Sequence, residues 1–173
     1  MSDRTLRLVA ASGLAVGAVL GLVGAFTPAP VRGLLWALDG TALVIACALL
    51  ALHHFRLGHD LVAGGFIAFA IGEGVMLTCV ALDPGDPVPV SSFAAGAGLW
   101  AAGLALVSAP AVMPLLVRIL GFIAAVLFAI HAVMVFSGHP LSALSTPLPL
   151  LAYPFLVITL LCWAFLCLRE PPR

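Results

Sequence analysis

The chain has 173 residues, 64% of them hydrophobic and 8% charged, where a soluble domain carries roughly 25% charged and about 45–50% apolar residues. A globule of this size needs a polar shell that this composition cannot supply, so a water-soluble fold is excluded and lipid is the expected solvent. Formal net charge is zero and all seven cations are arginine, which leaves no basic face for nucleic acid.

A spanning helix needs about 20 mainly apolar residues, and six stretches of the sequence meet that requirement. The predicted fold is therefore all-α: a polytopic membrane protein, one domain over residues 1–173, with six transmembrane helices and no soluble domain. The lipid bilayer is its first expected partner.

The first predicted helix covers residues 8–27. Arg4 and Arg7 precede it and Ala25-Phe26-Thr27-Pro28 closes it, a pattern that mimics a signal peptide; the segment is read as a retained, uncleaved anchor. Gly13, Gly17 and Gly21 recur at four-residue spacing, followed by Gly24. Such a stripe lets another backbone approach closely. Packing within the chain is its expected use; a homo-oligomer or a larger membrane complex is the other.

After the Pro28–Gly33 break, the second helix is predicted over 34–52 and carries Asp39. The turn that follows holds His53, His54, Arg56, His59 and Asp60. Imidazole and carboxylate suit zinc, iron or nickel, so His53, His54, His59 and Asp60 are weak metal candidates, although His-His-x4-His-Asp matches no established metal motif. The plainer reading is an interfacial turn in which Arg56 anchors the chain and Asp60 caps the third helix.

The third helix, 61–82, carries Glu73 between Gly72 and Gly74, and leads into the acidic loop Asp83-Pro84-Gly85-Asp86-Pro87. The fourth, 92–109, is short and repeats the small-residue theme with Ala95, Gly96, Gly98 and Gly103. The fifth, 115–136, carries His131. The sixth, 150–168, opens with Tyr153. Trp36, Tyr153 and Trp163 near helix ends fit interfacial anchoring. Cys47, Cys79, Cys162 and Cys167 lie in apolar runs without a CxxC pair and are expected to act as small hydrophobes.

Two segments, Gly33–Phe55 and Pro114–Phe136, each follow an Ala-Pro-containing break and end in Phe. A three-helix repeat would be inverted in the membrane, although chance matches are common at this composition. The arginines set the orientation: with the N-terminus inside, Arg4, Arg7, Arg56, Arg118, Arg169 and Arg173 fall inside and only Arg32 outside, as the positive-inside rule requires. Both termini are expected in the cytoplasm, and a bacterial inner membrane is the expected location.

Ionisable groups inside spanning helices are costly and tend to be paired or functional. At a rise of 1.5 Å per residue, Asp39 lies about 8 Å in from the outer face, Glu73 about 18 Å up from the inner side and His131 about 20 Å up. All three fall in the outer half of a core about 30 Å thick, and Tyr153 starts its helix on the same side. A carboxylate in hydrocarbon must be protonated or paired. Asp39, Glu73, His131 and Tyr153 are therefore the candidate binding residues of an outward-facing polar pocket for a proton or small solute. A packing-only cluster, with Asp39 paired to Arg32, is the competing reading. The second functional expectation is an accessory membrane subunit that associates through its glycine faces. No cofactor is expected: His53 and His54 lie about 20 Å in depth from His131, too far to share a haem. No nucleophile elbow or phosphate-binding loop is present. The chain resembles no characterised family closely enough to carry residues over.

Overall fold

The computed structural model describes residues 3–80, 90–139 and 141–169, and within them every regular element is a helix. In chain order these are α1 (Asp3–Ala25), α2 (Ala29–Arg56), α3 (Asp60–Val80), α4 (Val90–Ser108), α5 (Leu115–Phe136) and α6 (Ala152–Arg169). Five are long and apolar enough to cross a membrane; the apolar stretch of α4, Ser92–Ser108, is shorter. The acidic loop Asp83–Pro87, Arg173 and the expected last two residues of the third helix lie outside the described residues.

The predicted helices are all found, with shifted ends. The sequence places the start of the second helix at residue 34, whereas α2 begins at Ala29 with Pro28 as its N-cap. Proline suits the first helical turn, where its missing N–H would have no partner, so Pro28 and Pro30 initiate this helix rather than delaying it. The other end runs on through His53, His54 and Arg56 to a stop at Gly58 (φ 73°), where His59 N–H donates to the His54 carbonyl (2.9 Å). That is the glycine-dependent C-terminal closure of a helix.

Each helix packs along its length against the next in sequence, and α6 returns to α1; across the middle α3 and α6 meet through the side chains of Phe66, Phe69 and Trp163. The six rods thus form a closed ring with neighbours antiparallel. Small residues make this possible. A Cβ on Gly13 would meet the Ala42 carbonyl at 2.9 Å, and one on Gly65 would meet the Gly103 carbonyl at the same distance. The α1–α2 and α3–α4 contacts are therefore made backbone to backbone.

One end of the ring carries the α1–α2 turn and the α5–α6 connection. The opposite end carries the α2–α3 and α4–α5 turns. Arg32 lies at the first end; Arg4, Arg7, Arg56, Arg118 and Arg169 lie at the second. A core of aromatic side chains fills the middle. Trp163 meets Phe66 edge-on at 5.0 Å, Trp100 stacks on Phe69 at 5.8 Å, and Phe128 meets Trp100 at 5.2 Å.

Candidate functional site

The ring encloses a cavity of about 800 Å³ at the end that carries the α1–α2 turn. Its wall is mostly apolar and includes the aromatic side chains of Trp36, Phe93, Trp100 and Tyr153. Asp39 from α2 and Glu73 from α3 both face into it. The two acids are electrostatic neighbours at nearly one level: Gly40, next to Asp39, has Glu73 Oε2 at 3.3 Å from the position a Cβ would take. Among the described residues no ion pair involves either carboxyl.

Asp39 owes its place to the glycine stripe. Its carboxyl oxygens sit 2.7 Å from a Cβ position on Gly21 and 3.1 Å from one on Gly17; any larger residue there would displace the acid. Further along, Gly24 makes room for Trp36, whose indole Nε1 donates to the Gly21 carbonyl (3.1 Å). The stripe is thus filled from within the chain, by α2. Gly72 likewise accommodates Trp100 and α4, whereas nothing lies within 4 Å of a Cβ on Gly74.

Arg32 also lines the cavity, yet it is not the partner of Asp39. Its Nε and Nη2 donate to the carbonyls of Gly24 (3.3 Å) and Thr27 (2.8 Å). It thereby adds to the bonds that Thr27 makes to the Gly24 carbonyl and caps that of Thr27 at the C-terminal end of α1, and its guanidinium stands 5.7 Å from the Trp36 ring. The pairing of Arg32 with Asp39 expected from their sequence proximity is absent because the helix end competes for the same cation.

Two buried polar atoms on the cavity lining have no hydrogen-bond partner: Asp39 Oδ1 and Trp100 Nε1. An unpaired buried donor or acceptor costs about 1–3 kcal/mol.

His131 stands apart. It lies near the same level but in the α4–α5 wall, fully buried, edge-on to Phe93 at 5.0 Å. Phe93 reaches the cavity; His131 does not line it. Both of its ring nitrogens lack partners. Tyr153 does line the cavity and touches Phe128 at 5.7 Å. The structure therefore brings Asp39, Glu73 and Tyr153 together and leaves His131 one aromatic layer behind them. Sequence reasoning missed Phe93 as a wall residue of this cavity beside Trp100, since only the azimuth of α4, set by the Gly72–Gly96 contact, turns it inward.

At the other end the histidines divide between two neighbours. His53 Nδ1 lies 3.0 Å from Asp3 Oδ1, and the other oxygen of that carboxylate, Oδ2, pairs with Arg7 Nε at 3.1 Å. His54 Nδ1 lies 3.3 Å from His59 Nδ1 and its ring stacks on Phe66. Asp60 is exposed at the start of α3. Among the described residues no group of three or more His, Cys, Asp or Glu is placed to hold a metal ion. Trp163, expected at an interface, is 2% exposed and belongs to the aromatic core.

No family model, curated protein or solved structure matches the chain.

Proposed function

We propose that the chain is an integral membrane protein with six spanning helices that binds and moves a small solute. In this reading it lies in a bacterial inner membrane with both termini cytoplasmic, so the large cavity opens outward. The solute has a compact apolar body and a cationic, hydrogen-bond-donating head. Composition and the arginine distribution support the membrane placement and its orientation.

The observation that carries the solute class is the cavity itself: Asp39 and Glu73 facing an apolar, aromatic-walled space of about 800 Å³ with no cation paired to them among the described residues. Carboxyls left in such a setting favour a cation, which their charge and the ring faces of Trp36, Trp100 and Phe93 would both attract. The volume lies within the range of small-molecule sites, about 300–1,000 Å³. That α2 occupies the glycine stripe of α1 supports the solute reading over the accessory-subunit one.

Calorimetric titration of the detergent-solubilised protein with 2-phenylethylamine and with 2-phenylethanol tests the solute class. The two differ in the charged head and share the apolar body. The amine should bind roughly tenfold or more tightly, as expected when a buried charge gains its partner. Equal affinities, or none for the amine, would refute the class.

A further inference from the structure

The ring has a second cavity, of about 280 Å³, at the end opposite the first. Its lining includes Met113 and Pro114 from the α4–α5 turn, Phe66 from α3, and Trp163 and Cys167 from α6. Three of the elements that build the two cavities correspond, while α1 in the large cavity and the end of α2 in the small one have no such counterpart. In the large one the stretch leading into α2 contributes Phe26 and Ala29, the C-terminal half of α3 contributes Met76 and Cys79, and the N-terminal half of α6 contributes Tyr153. In the small one the stretch leading into α5 takes the first role, the C-terminal half of α6 the second and the N-terminal half of α3 the third.

Local details follow the same correspondence. Pro28 is the N-cap of α2 and Pro114 is the N-cap of α5. Four residues after each proline stands an arginine that turns back on the preceding helix. Arg32 donates through Nε and Nη2 to the carbonyls of Gly24 and Thr27 at the end of α1. Arg118 donates through the same two nitrogens to those of Ser108 and Ala109 at the end of α4, both at 2.8 Å. Both helices then close on a Gly-His pair with glycine at positive φ, Gly58 at 73° and Gly138 at 89°. In each the histidine N–H donates to a carbonyl five residues back, His59 to His54 (2.9 Å) and His139 to Met134 (3.0 Å). Composition bias yields chance runs of Leu and Ala; it does not place the same cap, the same clamp and the same stop on two helices. Because α2 and α5 run in opposite directions, these shared features are what an inverted relation of α1–α3 to α4–α6 would produce.

We infer that the small cavity is the contracted counterpart of the large one, and that the protein exposes its acidic site to the two sides of the membrane in turn. This rests on the membrane-carrier reading above and adds its route. The aromatic side chains of Phe66, Trp163, Phe69 and Trp100 form the layer between the two spaces, each ring within 6.4 Å of the next. In the described conformation the cavity at the α1–α2 end is the larger, about 800 against 280 Å³. Exchanging the conformations of the two copies would shrink that cavity and enlarge the other, since inverted repeats can each adopt the other's packing.

The sequence supplies a thiol in each cavity, Cys79 in the large and Cys167 in the small. Two chains, one keeping only Cys79 and one keeping only Cys167, with alanine at the remaining cysteines, are reconstituted in liposomes and alkylated with a charged maleimide from either side. Arg32→Gln and Arg118→Gln are introduced into each. The inference predicts that the Cys79 and Cys167 rates move in opposite directions in every variant. It further predicts that the two arginine changes shift the rate ratio oppositely, each by roughly threefold or more. Arg32→Lys and Arg118→Lys, which keep the charge and lose the two-pronged bond, give the same signs if a glutamine variant fails to fold. Rates that rise or fall together, or that do not respond, overturn it. Saturating 2-phenylethylamine is the separate arm: opposed rates in the arginine series without any amine effect would sink the solute class and leave alternating exposure standing.

Discussion

Asp39 and Gly21 share one space on facing helices: a Cβ on Gly21 would stand 2.7 Å from an Asp39 carboxyl oxygen. The acid reaches the cavity because α1 offers no side chain there. Gly21→Leu should therefore lower stability by about 1–3 kcal/mol, the usual cost of overpacking, and expel the Asp39 side chain from its notch. Gly33→Ala is the control, since nothing lies within 4 Å of its Cβ position. Thermal unfolding in detergent distinguishes them; equal midpoints would show that the Asp39 notch is not tight.

Arg118 closes the end of α4 with two bonds of 2.8 Å to the carbonyls of Ser108 and Ala109. Removing the cation leaves those carbonyls without their donor, and bonds to charged groups contribute about 1.5–3 kcal/mol. Part of this end is exposed, so Arg118→Gln should cost about 1–2 kcal/mol. Hydrogen exchange should show faster opening of the last turn of α4, with α1 unaffected. Uniform acceleration through both helices would argue against a local clamp.

His131 is fully buried with neither ring nitrogen hydrogen-bonded. A buried polar ring without partners is costly, and its neighbour Phe93 offers only a ring face and edge. His131→Phe should leave the unfolding midpoint unchanged or raise it, and should leave amine binding intact. A loss of binding would return His131 to the site that its position in the sequence suggested.

How far the sequence revealed this arrangement depends on which coordinate is asked for. Depth along a helix follows from counting residues, so Asp39, Glu73, Tyr153 and His131 come out near one level. Azimuth does not follow from counting in helices that are apolar all round, where no polar face marks the outside. That is why His131 was expected in the pocket, and why Trp163, expected at an interface, lies in the core. The glycine stripe of α1 announced a close approach without naming the partner, and Arg32 was read against Asp39 because the demand of the α1 carbonyls is invisible until the turn is built.

Trp163 joins the layer between the two cavities, meeting Phe66 at 5.0 Å and Phe69 at 6.4 Å. Trp163→Ala should cost about 3 kcal/mol or more through the void it leaves. It should also speed alkylation of Cys167, which lines the adjoining space. A stable variant with an unchanged Cys167 rate would mean that this ring does not seal the small cavity.

The central claim is that Asp39 and Glu73 make the large cavity a site for a cationic solute, and the amine affinity of Glu73→Gln and Asp39→Asn tests it most directly. Both substitutions keep the side-chain shape and remove the capacity to ionise when a cation enters. The account predicts that each variant elutes as a monodisperse, folded protein and binds 2-phenylethylamine at least roughly tenfold more weakly than the parent chain. Parental affinity in both folded variants would contradict it.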